Sequence, residues 1–215
     1  MLEDLSDYRK SYERQALLES HCPSHPVTLF HEWFVAADRS EVVEETNAMT
    51  ISTIGRDGFP KNRVVLLKKY SEEGFVFYTN YASEKGQAIL ENCRVCLSFF
   101  WPELEQQIII KGNAEKIAEN LSDSYFESRP RGSKLGAWAS SQSSVVTSRD
   151  ELDETLKTYQ QKFEGKEIPR PPHWGGFIVL PFSVEFWQGR PNRMHDRIRY
   201  ALLDDFSWKL ERLAP

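Results

Sequence analysis

The chain has 215 residues, with 27 Lys and Arg against 32 Asp and Glu, a formal charge of -5 at neutral pH and an isoelectric point near 5.6. That length suits one well-cored domain and leaves little room for two, and the acid excess argues against a general nucleic-acid binder, which needs a net basic face. No apolar run is long enough to span a bilayer, and Glu3, Asp4 and Asp7 break the basic-then-apolar pattern of a signal or transit peptide, so a soluble cytoplasmic protein without a membrane partner is expected.

Residues 1–24 are polar, carry Arg9, Lys10, Tyr12 and Arg14 at spacings of one to two helical turns, and read as a mobile N-terminal arm before a single domain over 25–215. From Pro26 to Ala37, Leu29, Phe30, Trp33, Phe34 and Ala37 recur at helical spacing behind an early proline, which predicts an amphipathic helix with a core-facing aromatic stripe. The period then changes. Asn47 to Ile54 alternates, Gly55-Arg56-Asp57-Gly58 supplies turn chemistry and Arg63 to Tyr70 begins a second strand, so a hairpin is predicted, with a third, aromatic-rich strand over Gly74 to Asn80. Ser83 suits the N-cap of a short helix to Glu91, and strands follow over Arg94 to Trp101 and Gln106 to Lys111.

Helical spacing returns at Glu119 to Ser128, stopped before Pro130. The segment from Ser128 to Lys134 reads as a basic, hydroxyl-bearing loop, a composition that fits phosphate as well as solvent. Ser148 with Glu151 forms a capping box for a helix to about Glu164, and Pro169, Pro171 and Pro172 make an extended linker. Four strands close the chain, at Gly176 to Leu180, Val184 to Gln188, Ile198 to Leu203 and Phe206 to Leu210, the last two joined by a tight turn at Asp204-Asp205. Many strands with helices inserted between them predict a mainly β, α+β fold, a closed or partly closed antiparallel barrel decorated by helices.

Cys93 and Cys96 form a C-x-x-C, but on a predicted strand where positions three apart face opposite sides; with Cys22 as the third cysteine, buried structural thiols are expected rather than a zinc or redox pair. Cations instead recur beside aromatic residues in three places: Arg63 and Lys68, five apart and so on opposite strand faces; Arg129 with Ser133 and Tyr125; and Arg190, Arg193 and Arg197 with His195 and Trp187. Three local basic clusters in an acidic chain suit one ligand with two phosphates, or two phosphorylated ligands. The sequence has no Walker or Rossmann glycine loop, no His/Glu metal signature and no nucleophile elbow, so no metal is expected, and redox chemistry on a borrowed cofactor is the attractive reading.

Arg63-Val64-Val65-Leu66-Leu67-Lys68, Phe77-Tyr78-Thr79-Asn80, Ser128-Arg129-Pro130, Gln142-Ser143-Ser144, Trp174-Gly175-Gly176, Glu185-Phe186-Trp187-Gln188-Gly189, Arg193-Met194-His195-Asp196-Arg197 and Arg212-Leu213-Ala214-Pro215, in this order, resemble the pyridoxamine 5'-phosphate oxidase family. The resemblance implies an FMN-binding split barrel, a homodimer with FMN at the subunit interface, and oxidation of pyridoxine or pyridoxamine 5'-phosphate to pyridoxal 5'-phosphate with oxygen as acceptor and hydrogen peroxide as product. Carried over by position, it implies that Arg63 and Lys85 hold the FMN phosphate with help from Gln142 and Ser143 of the partner subunit. Val64, Val65, Leu66, Leu67, Lys68, Tyr78, Thr79, Gln107, Trp187 and Arg197 would line the rest of the FMN site. Lys68, Tyr125, Arg129 and Ser133 would grip the substrate phosphate, Arg193 and His195 would be the catalytic pair over the substrate ring, and Arg9 and Tyr12 would fold over the site.

One position departs from the family pattern: Glu84 stands where an arginine is usual beside Lys85. A carboxylate beside a phosphate repels it, so Glu84 is expected to turn outward. Rival readings are a non-catalytic flavin or pyridoxal-phosphate carrier on the same barrel, a related flavin reductase, and a single-strand nucleic-acid binder; the substrate-phosphate residues weigh against the first two and the acidic total against the third.

Overall fold

Apolar side chains at every second position make strands of much of this chain, and helices occupy the segments between them. In chain order the elements are α1 (Pro26–Arg39), β1 (Ala48–Ile54), β2 (Pro60–Ser71), β3 (Gly74–Asn80), α2 (Glu84–Glu91), β4 (Arg94–Trp101), β5 (Gln106–Lys116), α3 (Glu119–Ser128), α4 (Arg131–Ala139), α5 (Arg149–Lys162), β6 (Trp174–Gln188), β7 (Asp196–Leu202) and β8 (Trp208–Leu213). The computed structural model describes residues 3–8 and 10–215, and these form one sheet of order β3-β2-β1-β4-β5-β6-β7-β8. Because β3 also pairs with β6, strands β1 to β6 close into a six-stranded antiparallel barrel with helices around it, the expected α+β split barrel. No helix among the described residues is long and apolar enough to cross a membrane.

Two compact units divide the chain. The first holds the described residues up to Met49, Leu97–Lys111 and Pro181–Pro215. In it the aromatic stripe of α1 is core, as its spacing predicts: Phe30 meets Phe99 edge-on at 5.2 Å and Trp33 meets Phe186 at 5.3 Å. β6, β7 and β8 run antiparallel here, with Trp187 opposite Arg197 and Arg197 opposite Leu213. The second unit holds Thr50–Cys96 and Gly112–Leu180. β3 is its central strand, paired with β2 on one side and β6 on the other, which is why Phe75 and Phe77 are fully buried. Phe126, Leu135, Phe163, Ile168 and Trp174 make a second core cluster under α3, α4 and α5.

Several boundaries differ from expectation for local reasons. The basic loop after Ser128 ends at Pro130, and α4 begins at Arg131, because Leu135 is buried against Phe126 and Phe163 and rewards the helical turn. The two strands predicted over 176–188 are one long strand, β6, through Pro181. Ser83 caps α2, accepting from Gly86 N at 3.2 Å. Ser148 likewise accepts from Glu151 N, but the Glu151 carboxylate turns to the backbone and hydroxyl of Thr147, so only half of the capping box forms. The cysteines are free and none is fully buried as expected: Cys22 and Cys96 are half-buried, and Cys93 is exposed, with its sulfur 3.8 Å from Asn113 Oδ1.

Residues 10–18 contain no helical turn. Carboxylates hold this stretch extended instead: Glu13 N and Arg14 N donate to Glu105 Oε2 at 2.8 and 3.1 Å, and Leu17 N donates to Asp196 Oδ2 at 3.0 Å. Leu17 itself is buried.

Candidate active site

In the second unit a cleft of about 640 Å³ opens between β2, β3, α2 and the α3–α4 corner. It is lined by Val64, Val65, Leu66 and Lys68 of β2, Tyr78 and Thr79 of β3, Lys85 of α2, Tyr125, Arg129 and Ser133 of the corner, and Gln142. Eleven residues singled out from the sequence therefore share one cavity of ligand-binding size. Leu67, between them in the chain, is a buried core residue, and Ser143 is exposed with φ 75°.

Three cations line this cleft, Lys68, Lys85 and Arg129, and none pairs with a carboxylate among the described residues; Lys68 is exposed, whereas the other two are drawn out of water. Lys85, the second residue of α2, is only 7% exposed, and its Nζ donates to two neutral acceptors, Thr79 Oγ1 and Gln142 Oε1, each at 3.0 Å. Burial first, and the charge of Arg63 second, pull its pKa down to about 8. Gln142 of the same protomer thus already reaches Lys85. Arg129 lies with Cζ 4.6 Å over the Trp174 ring, its Nη1 is buried with no hydrogen-bond partner among the described residues, and burial lowers its pKa. A desolvated cation without a counter-charge is costly, and an anionic ligand removes that cost. Beside Arg129, the first turn of α4 has no side-chain cap from Pro130 and presents Ser133, a geometry suited to phosphate.

The cleft also has a flat wall. Tyr78 stacks on Tyr125 with ring centroids 3.9 Å apart and on Trp174 at 5.4 Å, nearly parallel in both cases. Gly176 lets the wall close in, since a Cβ there would lie 2.9 Å from Tyr78 Cε1. Orphaned cations beside an aromatic wall fit a planar, phosphorylated group.

Arg63 does not line the cleft. Its Nη1 donates to Thr53 Oγ1 at 3.2 Å and its Nη2 to Glu84 Oε2 at 3.0 Å, while the other Glu84 oxygen pairs with Lys61. Glu84 is exposed and outside the cleft, as expected, but its carboxylate is not free: Lys61 and Arg63 both hold it.

The remaining candidates gather in the first unit, around the β6–β7 connection. The His195 ring is 4.7 Å from Trp187, and its Nδ1 accepts the backbone hydrogen of Arg190 at 3.1 Å. An amide can only donate, so the neutral imidazole carries its hydrogen on Nε2. Tyr12 stands edge-on to both Trp187 and His195, at 5.7 Å from each. Arg197 Nε is held by Glu185 Oε1 at 2.7 Å and its Nη1 by Ala214 O at 2.9 Å. Arg193 and its neighbour Asn192 both take left-handed backbone conformations, φ 61° and 56°, uncommon for residues with side chains. Arg193 is exposed and makes no hydrogen bond or ion pair among the described residues. Gln107 is occupied locally, donating to Ser98 Oγ at 3.4 Å, and Arg9 lies outside the described residues.

Two contributors were not among the site residues expected from the sequence. Trp174 supplies the floor under Arg129, and Glu105, 4% exposed with φ 58°, anchors the arm that presents Tyr12. Nothing in the local sequence marks Glu105, since its partners lie 91 and 92 residues away.

The fold is a split barrel, and its cleft has the charge and flat wall that fit a planar, phosphorylated ligand. Comparison with known proteins specifies the class further: residues 37–163 match the family model described as pyridoxamine 5'-phosphate oxidase, and residues 174–215 match the pyridoxine 5'-phosphate oxidase C-terminal dimerisation region. The chain belongs to the pyridoxamine 5'-phosphate oxidase family and is an oxidoreductase. It is 64% identical, over the whole of both chains, to a pyridoxine/pyridoxamine 5'-phosphate oxidase of Flavobacterium psychrophilum, and 49% identical over 98% of each chain to one of Trichormus variabilis. Among solved structures, PhzG from Burkholderia lata, in complex with tetrahydrophenazine-1-carboxylic acid, superposes with a TM-score of 0.85 at 30% identity, covering 93% of this chain and 98% of that one.

Proposed function

We propose that this protein is an FMN-dependent oxidase that converts pyridoxamine 5'-phosphate and pyridoxine 5'-phosphate to pyridoxal 5'-phosphate, with oxygen as acceptor, hydrogen peroxide as product and ammonia released from the amine. The observation that carries the reading is a pair of cations without a carboxylate partner among the described residues, the buried Lys85 and the half-buried Arg129 with its Nη1 fully buried, in one cleft with a stacked aromatic wall. The names of the relatives, at up to 64% identity, support the substrate class.

In this reading Lys85, Arg63, Thr79 and Gln142 hold the FMN phosphate, and Val64, Val65, Leu66 and Tyr78 border the rest of the cofactor. FMN, when bound, supplies the two-electron acceptor. Lys68, Tyr125, Arg129 and Ser133 hold the substrate phosphate, so that binding energy from a non-reacting group fixes the reacting one. Arg193 orients the substrate ring, with a guanidinium that has no hydrogen-bond or ion-pair partner among the described residues. His195 donates from Nε2 to the ring's 3-oxygen, since Nδ1 is already taken by Arg190 N. It serves as a hydrogen-bond donor rather than as the base. Gln107, Trp187 and Arg197 complete the cofactor surroundings and Arg9 and Tyr12 cover the site; the match of residues 174–215 to a dimerisation region supports a homodimer, and in this reading FMN lies at its interface.

An anaerobic spectral titration tests this. Flavin bands that bleach on adding pyridoxamine 5'-phosphate and return with air are expected; bands that stay unchanged would favour a carrier or a reductase for another substrate.

A further inference from the structure

Arg63 has two terminal nitrogens, and both are engaged. One donates to the Thr53 hydroxyl and the other to the Glu84 carboxylate at 3.0 Å. Glu84 is bonded on its other side by Lys61, which in turn reaches Asp57 at 3.0 Å. The Glu84 carboxyl accordingly lies below its usual pKa, through Lys61 first and then Arg63, and stays ionised at neutral pH. Lys85, the next residue, points the opposite way into the cleft and has only neutral partners. Consecutive residues at the start of α2 therefore treat the two neighbouring cations in opposite ways. One cation is left bare and the other is neutralised.

We infer that Glu84 is an internal counter-ion of Arg63 that a phosphate-bearing cofactor has to displace, so that this residue sets the affinity of the site for the phosphate and not for the ring system. The inference rests on the FMN reading given above. A dianionic phosphate approaching Lys85 draws on Arg63, whose charge already reaches Lys85, and Glu84 competes for the same guanidinium edge. Lys61 gives the displaced carboxylate a place to go: Glu84 can release Arg63 and remain paired. The competition is between an exposed carboxylate and a phosphate, so its size is that of a partly exposed ion pair, roughly three- to tenfold in a dissociation constant.

The test measures dissociation constants of FMN and riboflavin for the cofactor-stripped protein by quenching of flavin fluorescence, in the parent, Glu84→Gln and Glu91→Gln. Glu91 pairs with Arg56 near the far end of the same helix and controls for loss of one acidic side chain. The expected result is FMN binding tightened about three- to tenfold in Glu84→Gln, riboflavin binding unchanged, and neither changed in Glu91→Gln. Unchanged or weaker FMN binding in Glu84→Gln overturns the inference, as does equal tightening of both flavins, which would be an effect on the ring site or the fold. Thermal melting of each stripped variant reports whether it is folded, and Glu84→Ala repeats the comparison if Glu84→Gln is not. A parent protein that binds neither flavin overturns the cofactor reading itself, an outcome separate from any difference among the variants.

Discussion

Lys85 Nζ and Gln142 Oε1 are 3.0 Å apart, and the amide oxygen, with the Thr79 hydroxyl, is all the compensation this buried cation receives among the described residues. Its pKa of about 8 lies below that of an exposed lysine, so the charged form is disfavoured in the folded protein. Between about pH 8 and the ordinary lysine value of 10.5 the unfolded chain binds more protons than the folded one. Stability of the cofactor-free protein should therefore rise with pH through that window. Phosphate binding has the opposite sign, because it needs the proton. FMN affinity should be highest below about pH 8 and fall above it, whereas Lys85→Met should bind FMN at least tenfold more weakly with a flat profile over that range. A fluorescence titration across pH 6.5 to 9.5 checks both, and an unaltered slope in the variant would remove Lys85 from the phosphate site.

Arg129 offers a second charge to a second phosphate. Arg129→Ala removes a guanidinium whose Nη1 is buried and unpartnered, so the fold loses little hydrogen bonding while the ligand loses a charged donor. Steady-state kinetics should show kcat/KM for pyridoxamine 5'-phosphate falling by about ten- to a hundredfold, mostly through KM, since the grip is on a group that does not react. The FMN dissociation constant should stay within about twofold; a parallel loss of FMN would mean that Arg129 belongs to the cofactor instead.

Gly86 ties the fold to the site. Added to it, a methyl group would lie 2.5 and 2.6 Å from the carbonyl oxygens of Tyr81 and Asn80, and the backbone there cannot yield as a side-chain tip would. Gly86→Ala should destabilise the protein by about 2 kcal/mol, roughly 4 to 8 °C in melting temperature for a chain of this size. Lys85 moves with the helix start, so FMN affinity should fall in the same variant. A Gly86→Ala protein with parental melting temperature and FMN binding would show that α2 has slack.

The barrel was legible in the sequence because alternation survives any tertiary context: Ala48–Ile54 and Arg94–Trp101 have every second residue buried, as their patterns predict. The cleft was legible through its motifs, whose residues from Val64 to Gln142 converge on one cavity. What local pattern could not carry were pairings fixed by distant chain. Arg131 to Ala139 holds two glycines and a lone buried leucine, too little periodicity to announce α4. Glu84 was expected to turn outward and is exposed, but its ion pairs went unread because only the phosphate was considered. Its position depends on Lys61 and Arg63, more than twenty residues earlier on another element.

The arm supplies the last prediction. Tyr12 reaches Trp187 and His195 only because the two amides that follow it, Glu13 N and Arg14 N, are bonded to the same buried Glu105 oxygen. Glu105 sits in a left-handed backbone conformation, and its own carbonyl accepts Gly189 N at 2.7 Å, which ties it to the end of β6 that leads into the His195 loop. Glu105→Ala should release the arm without opening the barrel. Hydrogen exchange at residues 12–17 should accelerate by at least tenfold while exchange in β5 and β6 stays slow. Turnover should fall to the level of Tyr12→Ala, and the double variant should be no worse than either single one, because both remove one interaction. Additive losses, or an arm that remains protected in Glu105→Ala, would mean that Tyr12 is held by the Asp196 and Arg212 contacts around Leu17 instead.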